Sequence, residues 1–351
     1  MTMTPAVELL IPIWQRVLQR SSIRVNDNFF DLGGNPASAA KLFGEIAEVC
    51  GRHLSPVLVY SVPTIEALAS VLEQPDQPRV PPLLLLKAGT EPPPIFIAHG
   101  LGDTVLDLFQ LVEKIESAHP IYGMQARGID GVDEPLTSVE AMAQFHLEAI
   151  KQLQPHGPYF LIGYSLGGLV GLEIAQRLSA GGEKIALLAL VESYPHRNQL
   201  GLVQRMLLSL RLAKRQARLL SASAFGRTRS EISAPFGGKA SQSSHYERLM
   251  RDVMKRMRDS AHMALKRYRP QFYRGEMRFV RAEIGTLFPD DPVAVWSHLA
   301  EQFEIETIPG DHWSVLTTGF DKLGSTLTDY LHEASAKTEL KQRKQNSPCQ
   351  I

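Results

Sequence analysis

The stretch that most narrows what this chain can fold into is Leu161-Ile162-Gly163-Tyr164-Ser165-Leu166-Gly167-Gly168. The apolar run from Tyr159 to Ile162 predicts a buried strand, and the pattern from about Leu169 to Leu178 predicts a helix. A Gly-x-Ser-x-Gly turn between a strand and a helix sets the serine on a sharp, strained bend. Gly163 and Gly167 must lack a Cβ for strand and helix to approach there. The Ser165 hydroxyl is then pushed out of the sheet, and the helix N-terminus beneath it favours developing negative charge.

The bulk properties bound the rest. A chain of 351 residues has room for two domains, or one large domain with additions. Hydrophobic content of 44% with 21% charged residues is that of a soluble globular protein. A formal net charge of zero supplies no global field toward nucleic acid or an anionic membrane. Cys50 and Cys349 lie far apart, so no disulfide framework is expected and a reducing cytoplasm fits. The apolar runs Leu83 to Leu86 and Ile185 to Val191 are too short to span a bilayer, and no leader pattern opens the chain. No His-x-x-x-His or paired-cysteine spacing points to a metal.

The chain divides by pattern. Residues 6–73 predict a small helical bundle. Its first helix carries Val7, Leu10, Ile11, Trp14, Val17 and Leu18 on one face. A second helix begins at Pro36, a residue suited to the first helical position, and turns Ala39, Leu42, Phe43, Ile46 and Val49 inward. A third follows Pro63 and Thr64. Residues 74–82 form a proline-rich, extended linker. Strands and helices then alternate, with strands at Leu83 to Lys87, Pro94 to Ala98, Ile121 to Gln125, the elbow strand, Ile185 to Val191, Met277 to Val280 and Phe303 to Thr307. Thr137 and Glu140 have the spacing of a capping box that opens a helix running to about Leu153. Near-continuous apolar strands predict a mostly parallel sheet covered on both faces, over residues 83–334. Between about residues 195 and 271 the rhythm breaks into amphipathic helical stretches, with Leu207, Leu208, Leu210, Leu212 and Leu219 among Arg205, Arg211, Lys214, Arg215 and Arg218, then a flexible run from Gly237 to Ser244. An insertion of that length after a sheet strand predicts a lid. The polar tail, residues 335–351, is expected to be disordered.

Ser165 needs a base to take its proton. His312 follows the final strand in a glycine-bearing turn, Pro309-Gly310-Asp311-His312, from which a loop can reach back over the sheet. His99 ends a strand but precedes the serine, the wrong chain order for this arrangement. The carboxylate that orients the imidazole is expected at Glu192, at the end of the strand Ile185 to Val191, with Asp290 and Asp291 as rivals. The oxyanion donors are expected to be the backbone amides of Leu166, next to the nucleophile, and Leu101, in the loop His99-Gly100-Leu101-Gly102.

With these residues in hand, residues 83–330 resemble the terminal thioesterase domain of nonribosomal peptide synthetases and polyketide synthases. The matching pieces are Ile95 to Gly100, Gly163 to Gly168, Leu190 to Pro195 and Pro309 to His312. The resemblance implies an α/β-hydrolase fold with a helical lid after the sixth strand and a triad carboxylate where Glu192 stands, usually an aspartate in that family. Residues 6–73 resemble the carrier-protein domain that precedes such thioesterases, through Phe29-Phe30-Asp31-Leu32-Gly33-Gly34. The family signature continues with a polar residue and the serine that receives phosphopantetheine. Asn35 and Pro36 occupy those places, and proline has no hydroxyl. Ser38 lies two positions on, about 200° around a helix. The resemblance therefore implies a carrier-like module without its attachment serine.

The expected function is a serine thioesterase that frees an acyl or peptidyl chain from a phosphopantetheine thioester, by hydrolysis, cyclisation or transfer, in natural-product biosynthesis. Its partners are a separate acyl- or peptidyl-carrier protein and a small acyl substrate. No tightly bound cofactor, metal or nucleic acid is expected. Pro36 motivates a different reading, a non-catalytic module that organises a synthetase complex. A stand-alone esterase or acyltransferase is a third, which the carrier-like N-terminus disfavours.

Overall fold

The structure, a computed structural model, describes residues 4–210, 213, 244–285 and 291–346. Arg211, Leu212, Lys214, Arg215, Arg218, Leu219, the run from Gly237 to Ser243 and Asp290 lie outside the described residues.

The N-terminal module is built from α1 (Pro5–Leu18), α2 (Pro36–Cys50), a 3-10 turn (Pro56–Tyr60) and α3 (Ile65–Glu73). Thr4 and Thr64 cap α1 and α3, accepting from the Val7 and Ala67 amides. Its core centres on Trp14, which meets Phe29 edge-on at 5.4 Å, with Leu10, Leu42, Phe43 and Ile46 buried around them. Val49, expected to face inward, is exposed. The inward stripe of α2 runs Ala39, Leu42, Phe43, Ile46 and Ala47, then reaches half-buried Cys50, the residue after Val49. The linker is strapped down rather than free. Arg52 donates to the Gln74 and Asp76 carbonyls, and Gln77 donates to the His53 carbonyl.

The larger unit follows in the order β1 (Leu83–Lys87), β2 (Ile95–Ala98), α4 (Phe109–Lys114), β3 (Ile121–Met124), α5 (Val139–Leu153), β4 (Tyr159–Tyr164), α6 (Leu166–Ala180) and β5 (Ile185–Val191). Residues 202–210 form α7. Then come α8 (His245–Arg267), β6 (Tyr273–Ile284), α9 (Pro292–Trp296), β7 (Ala300–Asp311), α10 (Ser314–Thr317) and α11 (Phe320–Asn346). The sheet order is β1-β3-β2-β4-β5-β6-β7. Only the β1–β3 pair is antiparallel among these neighbours.

Both faces of the sheet are covered, which is why its central strands read as unbroken apolar runs. Leu161, Leu188 and Leu190 face α5 and α6; Phe160, Ile162, Ala189 and Val191 face α4 and α11. Alternation along the strand splits these sets between the two sides.

Three expectations are corrected. The cap of α5 is Ser138, accepting from the Ala141 amide, one residue later than the Thr137–Glu140 box would require. β6 and β7 each run 12 residues, because their outer ends are too polar to read as strand. The tail is helical as far as Asn346. It continues α11, whose earlier turns bury Leu323, Leu327, Tyr330, Leu331 and Ala334 against the sheet and α4, and Thr338 extends that buried stripe one turn into the tail.

The module and the larger unit share a core. Leu84, Val105 and Ile129, with Tyr246, Met250, Val253 and Met257 of α8, belong to the same buried cluster as the module helices. Phe30 stacks between Tyr60 at 4.7 Å and Phe109 at 5.9 Å. Tyr246 donates its hydroxyl to the Leu54 carbonyl at 2.9 Å.

Candidate active site

Ser165 stands between β4 and α6 with φ 53° and ψ −119°. Its amide donates to the Val191 carbonyl at 2.8 Å, pinning it to the end of β5. Its hydroxyl makes no capping hydrogen bond to α6. A Cβ on Gly163 would strike the Gly167 backbone, and one on Gly167 would strike the His99 carbonyl. The two glycines are thus required by close approach. Among the described residues, the non-glycine residues at positive φ are Gln19, a helix C-cap, together with Ser165 and Glu192. Strain of this kind persists where the surrounding structure over-determines it, and it gathers at working sites.

Glu192 follows β5 at φ 49° and is only 4% exposed. Its amide donates to the Val280 carbonyl at 2.9 Å. Its Oε1 accepts the Ala282 amide at 2.7 Å, and its Oε2 lies 3.3 Å from His312 Nδ1. A buried carboxylate needs such partners to offset lost hydration. His312, also 4% exposed, follows β7. The turn that carries it is fixed by Asp311, whose carboxylate accepts the Trp313 and Ser314 amides at 3.1 and 2.8 Å, and by Gly310 at φ 108°. The Tyr164 ring stacks on the imidazole at 5.1 Å, and the Tyr164 hydroxyl donates to the His312 carbonyl at 2.5 Å. The residue next to Ser165 is therefore in contact with His312. All three candidate residues sit at the C-terminal ends of parallel strands, where open α/β sheets gather their ligands.

The rivals sit elsewhere or are otherwise occupied. Asp291 caps α9, accepting the Ala294 amide at 3.2 Å. His99 is buried with both ring nitrogens committed to backbone. The Ala126 amide donates to Nε2 at 3.3 Å, so Nδ1 carries the proton and donates to the Gly100 carbonyl at 2.9 Å. Burial lowers its pKa, keeping it neutral.

Leu166 is the first residue of α6, and Leu101 lies in the loop after β2. Ala98 pairs with Gly163, so that loop and the elbow are neighbours. A small cavity of about 50 Å³ touches His99, Gly100, Leu166, Gly167 and His146. It shares Gly102 and Asp103 with a larger cavity of about 560 Å³ that opens toward the module. A third, of about 400 Å³, lies at the N-terminal ends of β5, β6 and β7, away from Ser165.

The sequence reasoning missed several contributors. Tyr164 is inside the elbow motif, yet its contact with His312 crosses 148 positions. Ala282 acts through its backbone and leaves no side-chain signal. Asp103 directly follows the loop already singled out. Burial, with help from Asp107 and against Arg258, raises its pKa to about 7. Its adjacency to that loop was the available clue.

The attachment end of the module does not fit a covalently held arm. Asn35 caps α2, Pro36 is its first residue, and Ser38 completes a reciprocal capping box. The Ser38 hydroxyl accepts from the Asn35 amide at 2.8 Å and donates to the Asn35 carbonyl at 2.9 Å.

Comparison with known proteins agrees with this architecture. The thioesterase domain family matches residues 93–331, and the phosphopantetheine attachment site family matches residues 8–72. The second match implies a phosphopantetheine arm as acyl carrier. A dimodular nonribosomal peptide synthase of Bacillus subtilis is 36% identical over 194 residues, which is 55% of this chain and 8% of that protein. The chain thus spans a small fraction of the curated relative. Among solved structures, a four-domain nonribosomal peptide synthetase crystallised with AMP and glycine superposes with TM-score 0.56 at 20% identity, over 93% of this chain and 26% of that one. The type II thioesterase BorB of the borrelidin cluster superposes with TM-score 0.51 at 18% identity, over 71% of this chain and 97% of that one. At those identities the likeness is one of fold, α/β-hydrolase for the larger unit.

Proposed function

This chain belongs to the thioesterase domain family, and from that premise we propose that it frees an acyl or peptidyl chain from a phosphopantetheine thioester through an acyl-enzyme on Ser165. The Ser165 Oγ attacks the thioester carbonyl while His312 Nε2 takes its proton. Glu192 holds His312 Nδ1–H and stabilises the imidazolium that forms. The amides of Leu166 and Leu101 bind the tetrahedral oxyanion. The carbon–sulfur bond breaks, and the thiolate leaves with the proton from His312. Water, or an amine or hydroxyl of the chain itself, then attacks the acyl-enzyme. His312 takes that nucleophile's proton and returns it to Ser165. Because a thiolate leaves readily, positioning and electrostatic stabilisation supply most of the barrier reduction.

The observation that carries this reading is the buried Glu192–His312 contact at 3.3 Å, with the imidazole stacked on the residue adjacent to Ser165. The donor is a separate acyl- or peptidyl-carrier protein, since Pro36 offers no hydroxyl for attachment. No helix among the described residues is long and apolar enough to cross a membrane, and the free Cys50 thiol fits a reducing cytoplasm. The test is turnover of an N-acetylcysteamine thioester. Ser165→Ala should abolish it, and retained turnover by that variant contradicts the reading. Comparing an oxygen ester with a thioester of the same acyl group separates a general esterase from a thioesterase.

A further inference from the structure

A base works only if its ring is held in one place, and Glu192 alone does not hold His312. Their contact runs from Glu192 Oε2 to Nδ1 at 3.3 Å, the long limit of an N–H···O hydrogen bond. A ring held at one atom can swing about that point. Tyr164 removes this freedom. Its ring stacks on the imidazole, with centroids 5.1 Å apart and planes 25° apart, and its hydroxyl donates to the carbonyl of the same residue at 2.5 Å. Tyr164 thus grips His312 by side chain and by backbone. Trp313 also meets the imidazole, edge-on at 5.2 Å, but it is 49% exposed and holds the ring less firmly.

Tyr164 is itself anchored. It ends β4 in register with Val191, the residue before Glu192. It is only 3% exposed and belongs to the buried cluster that contains Val191, Val280 and Val315. Burial, with Asp103 of the loop after β2, Glu192 after β5 and Asp311 of the His312 turn, raises its pKa, so the hydroxyl keeps its proton and donates. Its ring also abuts the loop that holds Leu101: a Cβ on Gly100 would lie 2.8 Å from Tyr164 Cδ1 and Cε1. One side chain next to Ser165 therefore bears on both loops that the reaction uses.

Resting on the thioesterase reading, we propose that Tyr164 is a positioning residue for this reaction, which sets the His312 imidazole against Ser165 and steadies the charged ring that forms once the serine proton is taken. The hydroxyl fixes the loop that carries His312, and the ring fixes the imidazole. An aromatic face within about 6 Å attracts a cation, and that attraction exists only while the imidazole is charged. An interaction made only then lowers the barrier without tightening substrate binding.

Two substitutions in the full chain separate the parts. Tyr164→Phe keeps the ring and loses the hydroxyl; Tyr164→Leu fills the space without an aromatic face. With an N-acetylcysteamine thioester, Tyr164→Leu should lower kcat about 10²-fold and Tyr164→Phe about fivefold, each with KM within about twofold of the wild type. Wild-type kcat in Tyr164→Leu, equal losses in the two variants, or a loss carried by KM overturns the proposal. A second measurement needs no turnover. In proton NMR the His312 Nδ1–H that faces Glu192 gives a downfield resonance, identified by its loss in His312→Ala, and its exchange with water reports how firmly the ring is held. Exchange should quicken about tenfold in Tyr164→Leu and less in Tyr164→Phe. Unchanged exchange in Tyr164→Leu overturns the proposal. If Tyr164→Leu fails to fold, Tyr164→Phe carries the test, and wild-type kcat together with wild-type exchange in that variant overturns the proposal. A wild type that shows the resonance but turns over no thioester counts against the catalytic reading alone.

Discussion

Asp103→Asn removes a carboxyl that the fold holds away from its ordinary behaviour. Burial, aided by Asp107, pushes the Asp103 pKa from 3.8 up to about 7, with Arg258 pulling it down. An acid raised in this way binds more protons folded than unfolded, so stability falls as pH rises. The loss begins at the unfolded value of 3.8 and is complete by about 7. At about 1.4 kcal/mol per pH unit the whole gap is about 4 kcal/mol. Residual water around this half-buried carboxyl brings the expected loss to about 2 kcal/mol. Urea unfolding of wild type and variant at matched pH values measures it. Below the unfolded pKa of 3.8 the two should unfold alike, because the protonated acid resembles the amide. Above the folded value of about 7 the variant should be the more stable by about 2 kcal/mol. A flat difference refutes the argument. So does a wild type that gains on the variant as pH rises, which would make Asp103 an ionised partner of Arg258.

Glu192→Gln keeps the size of the side chain but removes the charge, and should lower kcat by about 10³–10⁴ with little change in KM. Asp291→Ala serves as the contrast, costing about 1 kcal/mol of stability through its lost cap while sparing turnover; equal loss of kcat in both variants contradicts the assignment of Glu192. Gly163→Ala drives a methyl into the Gly167 backbone and should destabilise the chain by about 3 kcal/mol, read as a fall in Tm. An unshifted Tm contradicts the close-approach argument. The Glu183 carboxyl is pulled from 4.5 down to about 2 by Lys151, by the Gly157 amide and by His156. That stability is present above 4.5 and lost as pH falls from there toward 2, so Glu183→Gln should flatten the acid limb of the unfolding profile. An acid limb as steep as the wild type's denies Glu183 that role.

What the sequence reveals follows from how local each signal is. The elbow, its strand and its helix are written in one contiguous stretch, so Ser165 and the order of β4 and α6 are legible. The strand Ile185–Val191 matches β5 at both ends, because a strand buried on both faces has apolar residues throughout. β6 and β7 are longer than expected because their outer residues are half-exposed and polar. The helical tail is polar and buries Thr338, so its helix follows from continuity with the earlier, well-buried turns of α11 rather than from a pattern of its own. The Tyr164–His312 and Glu192–Ala282 hydrogen bonds join positions far apart in the chain, and in each the partner contributes a backbone group. The shared core between the module and α8 is likewise a tertiary fact. A proline-rich linker reads as a spacer, whatever the packing on either side of it.

The central claim is that Ser165 is a nucleophile activated by His312. The most direct test is intact-mass and peptide analysis after exposure to a fluorophosphonate, which reacts with an activated serine. The account expects one adduct, on Ser165, absent from Ser165→Ala and formed far more slowly in His312→Ala. A wild-type chain left unlabelled, or labelled at another residue, contradicts it.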